Sequence, residues 1–457
     1  GKTHTVMTTC FRHLITISLL VFVAARADAQ CFVLNADSFR HYVDYFNACD
    51  DELYKQYYPD TQAWPFLKAN IPFFQCPDKS LEQTYYFRWW TFRKHIRKTG
   101  TGFIITEFLP SVGWAGKDNS ISCALGHHFY EGRWLHDPIY LDDYMKFWMT
   151  AGASTLRNYS SWIADAWLAF LQVHPAEEHK VRALGGLIDN YHRWEATHRV
   201  PRDSLFWQTD GADGMEVSAG GQIHHGGIPA HSYEAVRPTL NSYLYGDANA
   251  IATLAERAGD SRTSNAFRQK SRILKANVQR SLWDERLKFF GSRPLNGDSV
   301  AGDLLPVREL IGFIPWYFNL PDDSMEYSVA WWQLEDRGGF NAPYGPTTTE
   351  QRNPFFQIRY DGHECQWNGP SWPYATSQTL TAMANLLDDY AHTPLTPRDY
   401  YALLDTYSRS QRRLQPSGNV LRWIDENLNP YTGDWISRTR LKNWPGSPWP
   451  ADKGGKE

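Results

Sequence analysis

A mainly α fold is predicted from three observations: apolar residues recur at helical spacing through most of the chain, strand-like runs are few and short, and aromatic, glycine-rich connections separate the helical stretches. Trp162, Ala166, Phe170 and Val173 lie on one helical face, and Val181, Leu184, Ile188 and Tyr191 mark a second. Ile251, Leu254, Ala255 and Ala258 run up to Gly259, a C-cap glycine, and Phe267, Leu274 and Val278 mark the helix after it. Leu380, Met383, Leu387 and Tyr390 form a further stripe. In LTPRDYYALL, Thr396 is placed as N-cap, Pro397 at the first helical position and Asp399 near the positive end of the helix dipole. Strands are expected only at GFII (102–105), KFFGS (288–292) and similar short runs. No low-complexity linker or shift in composition divides the chain, so residues 30–457 are expected to form one toroid of helical hairpins, whose connecting loops gather at one end.

The chain has 457 residues, 42% of them hydrophobic, enough to bury a large core without a disulfide or metal staple. Its net charge of -4 and the isolated mixed run RKHIRK (93–98) argue against a nucleic-acid partner. The 20 Trp, 25 Tyr and 24 Phe suit sugar rings, which stack on flat apolar faces, although most indoles are expected in the core.

At the start, Arg12 and His13 precede an apolar run from Leu14 to Ala25 and the small-x-small pattern Ala27, Asp28, Ala29. That pattern predicts a secretory signal cleaved after Ala29, with residues 1–6 upstream of Met7, and a secreted or periplasmic protein without a membrane partner. Once Cys10 leaves with the signal, Cys31, Cys49, Cys76, Cys123 and Cys365 remain. Cys49 with Cys76 is the nearest plausible disulfide, and the odd count leaves a thiol over. Adjacent histidines in GHHFYEGRWLHD (126–137) and IHHGG (223–227) point about 100° apart on a helix, too divergent to chelate one ion. No metal and no cofactor are expected.

Chemistry concentrates in two stretches. LFWQTDGADGMEVSAGGQ (205–222), read as a long loop between a helix ending near Trp194 and one starting near Thr239, sets Asp210, Asp213 and Glu216 beside Phe206, Trp207 and Met215. A carboxyl group lodged among such residues loses hydration and keeps its proton near neutrality, as a general acid must. NVLRWIDENLNPYTGDW (419–435) offers Asp425 and Glu426 next to Trp423. One carboxyl to protonate a leaving oxygen and a second to activate water or attack carbon is the requirement of glycoside hydrolysis.

Five blocks in order, GADGMEVSAGG, RPTLNSYLYGDANAIATLAERAGD, GGFNAPYGPTT, CQWNGPSWPYATSQTLTAMANLL and WIDENLNPYTGDW, resemble the six-hairpin glycosidases. The resemblance is to the mannosylglycerate-hydrolase-like branch near the processing α-glucosidases of glycoside hydrolase family sixty-three, and spans roughly residues 80–440. It implies an (α/α)6 barrel and hydrolysis with inversion, with Asp213 as acid and Glu426 as base. Asp210 and Glu216 become neighbours that orient or bind, and Trp367 and Trp372 line the sugar pocket. Trp114 and Asp118 occupy the place of a substrate-binding Trp-Asp block, at a different spacing. Trp207 joins the substrate-binding candidates, as do Arg237 and Tyr344 for sugar hydroxyls, with a structural salt bridge equally open to Arg237. The resemblance further implies a segment beyond Glu457 that closes the barrel, so a chain ending there is expected to close poorly.

The expected function is a secreted exo-glycosidase that cleaves a terminal bond of an oligosaccharide or glycoside, with sugar, anomer, aglycone and oligomeric state left open. A polysaccharide lyase on a similar toroid would instead rely on Tyr, His and Arg and release unsaturated products. A non-catalytic carbohydrate-binding protein would bind without turnover.

Overall fold

The computed structural model describes residues 34–437, apart from 177–181, 230–231, 297–298, 301–302, 364 and 416. The expected signal segment, Cys31, Val181 and the stretch after residue 437 lie outside the described residues.

Helices dominate and pack as a ring. The first layer begins with α1 (Arg40–Cys49), α2 (Ala63–Asn70) and α3 (Lys79–His95), followed by the hairpin β1 (Ile96–Thr99) and β2 (Gly102–Ile105). Next come α4 (Leu125–Gly132), α5 (Ile139–Met149), α6 (Ile163–Val173) and α7 (Leu184–His198). After a strand-rich interval the chain continues with α8 (Ala219–His224), α9 (Pro238–Arg257), α10 (Ser261–Leu282), α11 (Ile314–Tyr317), α12 (Met325–Ser328), α13 (Trp332–Glu335), α14 (Pro373–Asp389) and α15 (Pro397–Ser410). Going round, α3 packs on α15, α15 on α14, α14 on α11, α11 on α9, α9 on α6 and α6 on α4. On the remaining side, Gly132 of α4 faces the ring of Phe92 in α3. A second layer leans on this ring: α1 and α2 on α3, α5 on β2, and α7 and α10 on α9.

Sequence sets each helix's position in those layers. The interior helix α9 starts with Pro238 at its first turn and buries residues on every side, including Leu240, Leu244, Ala248, Ile251 and Ala255. Its Gly246 leaves the space that the Phe318 ring fills. By contrast, α10 buries one stripe, Phe267, Leu274, Val278 and Leu282, and turns its arginines and lysines outward. Between them Gly259 adopts φ +80 and ends α9. At α15 Thr396 and Asp399 form a reciprocal capping box ahead of Pro397. Six indoles, Trp148, Trp162, Trp167, Trp194, Trp316 and Trp331, are wholly buried, so much of the aromatic excess is core. Among the described residues no helix is long and apolar enough to cross a membrane.

Two expectations are corrected. The 205–222 stretch is not one long loop: it forms β4 (Leu205–Thr209), a 3-10 turn (Gly211–Asp213), β5 (Val217–Ser218) and α8. The alternating β-prone run Leu205–Thr209 pairs with β3 (Arg199–Val200) on one side and β6 (Glu234–Val236) on the other, within a five-stranded sheet. The second correction concerns thiols. Cys49 and Cys76 do not pair, and both are free thiols.

Gly126 of α4 sits where an added Cβ would overlap the indole of Trp162 at the α4–α6 contact. Gly126→Ala is expected to cost about 1–3 kcal/mol through overpacking, read as a lower urea midpoint with an unchanged slope.

Candidate active site

Two backbone seams bring distant loops together. β5 pairs in parallel with β7 (Gln366–Trp367), placing Val217 against Gln366 and Ser218 against Trp367. Ser371 then bridges Leu428, which also bridges Trp435. The stretch carrying Asp213 and Glu216 is thereby joined through the WNGPSW block to the stretch carrying Glu426.

Those three carboxylates line one cavity of about 200 Å3. Trp114, Trp367 and Trp372 share its wall, with Glu107, Tyr159, Cys365 and Tyr374. Trp367 and Trp372 stack at 4.4 Å between centroids, and the Trp372 Nε1–H donates to the Gln366 carbonyl at 2.7 Å. Trp114 is 44% exposed and forms an outer edge. On Glu426, Cys365 donates its thiol proton to Oε2 at 3.6 Å, a sulfur contact.

A second chamber of about 170 Å3 lies alongside. Glu107, Phe108, Trp372, Tyr374 and Glu426 belong to both linings, so Glu426 stands at the junction. The second chamber draws Arg88 and His95 from α3, His127 and Glu131 from α4, Tyr374 from α14 and Tyr407 from α15, together with Asp425. It is therefore the interior of the helical ring, whereas the first cavity, edged by exposed Trp114, is its mouth. Arg88 Nη1 and His127 Nε2 are buried there without a hydrogen-bond partner. Enclosure pushes the His127 imidazole down to about 3, with the Arg88 charge adding to the effect. His128 is likewise pushed to about 3 by burial, with His95 and His127 contributing, and its Nδ1 meets Tyr144 Oη at 3.0 Å. Burial also raises the Glu131 carboxyl, while Arg88 and His95 oppose that shift.

Asp213 is held from three directions. Ser160 Oγ donates to Oδ1 at 2.5 Å, Arg237 Nε donates to Oδ2 at 2.6 Å, and Thr239 Oγ1 donates to the same oxygen. Both side chains of the Asp213–Arg237 pair have zero exposure. Arg237 also donates to Tyr233 Oη at 2.8 Å and Met215 Sδ at 3.1 Å.

Several expected contacts are not in the cavity. Arg237 is a structural ion pair, not a sugar ligand, because its Nε, Nη1 and Nη2 all donate within the protein core. Asp210 is buried and accepts from Ser218 Oγ, Ser232 N and Gly211 N, which pins the start of the turn; burial pushes its carboxyl up against the pull of Arg237. Trp207 stacks on His198 at 4.6 Å and is not part of the cavity lining. Asp118 stands in a tight turn at φ 57, paired with Lys117 at 3.1 Å, outside the lining that Trp114 of the same block joins. Tyr344 packs over Gly433 and its backbone N–H binds the Pro430 carbonyl, so it braces the NPYTG turn instead.

Sequence pattern does not single out Glu107, Tyr159, Tyr374, Cys365 or the interior set of Arg88, Glu131 and Tyr407. Glu107 had a usable signal, a carboxylate two residues beyond the buried strand GFII. The others sit on ordinary helical or loop pattern.

A helical ring whose mouth gathers carboxylates and indoles is the arrangement of an (α/α)6-type glycoside hydrolase domain. Residues 117–444 match the mannosylglycerate hydrolase MGH1-like glycoside hydrolase domain, and the chain belongs to that family. A solved chain titled "Sialidase" superposes with a TM-score of 0.81 at 39% identity. That match covers 88% of this chain but 36% of the other, so this chain spans little more than a third of that protein. The mannosylglycerate hydrolase of family sixty-three from Thermus thermophilus, solved with glucose, is 15% identical with a TM-score of 0.46, covering 62% of this chain and 76% of its own. Neutral trehalase from Saccharomyces cerevisiae is 14% identical with a TM-score of 0.42, covering 62% and 61%.

The interior histidines couple stability to pH. Folded, His127 and His128 stay neutral down to about 3, whereas an unfolded histidine takes up its proton near 6.5. The unfolded state therefore binds more protons between those values, and stability falls as pH drops below 6.5. The slope contributed is up to about 1.4 kcal/mol per pH unit for each histidine. Urea titrations at stepped pH should show it, and His128→Asn should flatten it.

Proposed function

We propose that the protein is a secreted glycosidase that removes a terminal sugar by inverting hydrolysis. The observation that carries this reading is the single cavity in which Glu426 and the carboxylates of the 205–222 stretch meet beside Trp114, Trp367 and Trp372. The indoles give a flat apolar bed for a sugar ring, and the carboxyls supply the acid and base.

Glu426 suits the base. It stands where interior and mouth meet, so it reaches the anomeric carbon of a sugar seated in the interior chamber with the bond to be cleaved pointing outward. Arg88 Nη1 and His127 Nε2 supply polar atoms for hydroxyls of that sugar. The apolar run at Leu14–Ala25 supports secretion.

A screen of nitrophenyl glycosides, with NMR of the first-formed anomer, tests the reading. The expected product has the opposite anomeric configuration to the substrate, and a retained configuration would reject inversion. Glu426→Gln should lower kcat by about 10²- to 10⁴-fold or more with the melting temperature held within a few degrees.

A further inference from the structure

We infer that Glu216, and not Asp213, delivers the proton to the leaving group, an inference that rests on the hydrolytic reading above. A carboxyl group acting as general acid must carry a proton and aim it at the glycosidic oxygen. Asp213 acts as acceptor in all three of its side-chain contacts, two from hydroxyls and one from a guanidinium that has only donors to offer. Its side chain has no exposure.

What those contacts join explains Asp213 otherwise. Ser160 precedes α6, Arg237 and Thr239 begin α9, and the Ser160 N–H also binds the Ala212 carbonyl at 3.0 Å. Asp213 therefore fastens the turn to two helices of the ring. It is a positioning residue.

Glu216 is placed by that anchor. Gly214 takes φ +77 directly after Asp213, Met215 is buried, and Val217 enters the parallel pairing with Gln366. Glu216 is thus held between a fixed turn and a fixed strand, on the wall of the mouth cavity. The position also fits the direction of cleavage. With the sugar inside and the aglycone in the mouth, the acid must lie in the mouth. Glu216 lines the mouth alone, whereas Glu107 lines both chambers with Glu426.

In the step assigned, the Glu216 carboxyl proton passes to the glycosidic oxygen as its bond to the anomeric carbon breaks. Water attacks that carbon and gives its proton to Glu426. Solvent then reprotonates Glu216 and deprotonates Glu426.

The test uses the full chain and two substrates with the same sugar, the best one from the nitrophenyl screen: its 2,4-dinitrophenyl glycoside, which leaves without protonation, and its methyl glycoside, which does not. Glu216→Gln should lower kcat/KM about 10²- to 10⁴-fold on the methyl glycoside and less than about 10-fold on the dinitrophenyl one, and should remove the alkaline limb of the pH profile. Asp213→Asn should depress both substrates alike and lower the melting temperature. Equal losses on both substrates for Glu216→Gln, or selective loss for Asp213→Asn, would overturn the inference. If Glu216→Gln fails to fold, Glu216→Asp serves, with the same selectivity at smaller amplitude. No turnover of any glycoside by the unaltered chain would instead sink the hydrolytic reading itself, and unchanged activity of Glu426→Gln would reject Glu426 as the base.

Discussion

Thr84 and Ser408 are 324 residues apart and share a hydrogen bond of 2.7 Å inside the contact between α3 and α15. Arg422 joins them, donating to Thr84 Oγ1 at 2.8 Å and to the Ser80 carbonyl at 3.0 Å. This polar seam holds α3 against α15, and the interior chamber depends on it: α3 contributes one wall, α15 another, and residues 424–426 follow directly from the strand that carries Arg422. A polar seam suits that task. Apolar side chains could slide along each other, whereas paired hydroxyls and a guanidinium admit few registers.

The site repeats the same device at a smaller scale. Asp213 with Arg237, Ser160 and Thr239 forms a fully buried ionic cage between the turn at 211–213 and two helices. Two charges removed from water need hydrogen bonds beyond their own pairing, and the two hydroxyls on Asp213 supply them. Its value is placement, since it fixes where the chain goes next, through Glu216 to the strand paired with the Trp367 wall.

Charge is distributed unevenly around Glu426. The interior combines Arg88 with carboxylates and histidines driven neutral by enclosure, and the mouth is carboxylate-rich and paved with indoles. Low hydration strengthens every electrostatic contact there, so small differences in placement assign different roles to neighbouring carboxyls. Asp210, Asp213 and Glu216 lie within seven residues of one another, yet Asp210 pins a turn away from the cavity, while Asp213, on the cavity wall, is tied to two helices and Glu216 shares that wall.

Periodicity alone determined the helical class, the Gly259 stop and the Thr396 cap, because each depends on neighbours within a turn or two. Motif content further marked the stretches that hold Asp213, Glu216, Trp367, Trp372 and Glu426. Strand β4 escaped, since its conformation is settled by pairing with β3 and β6 and not by the glycines after it. The fates of Trp207, Asp210 and Arg237 escaped as well. Burial, partner and facing direction come from elements far away in sequence, and a carboxylate written in a chain carries no mark of which arginine will reach it. The interior chamber is the clearest case: Arg88, Glu131 and Tyr407 belong to three helices whose patterns are unremarkable singly, and only closure of the ring makes them one surface.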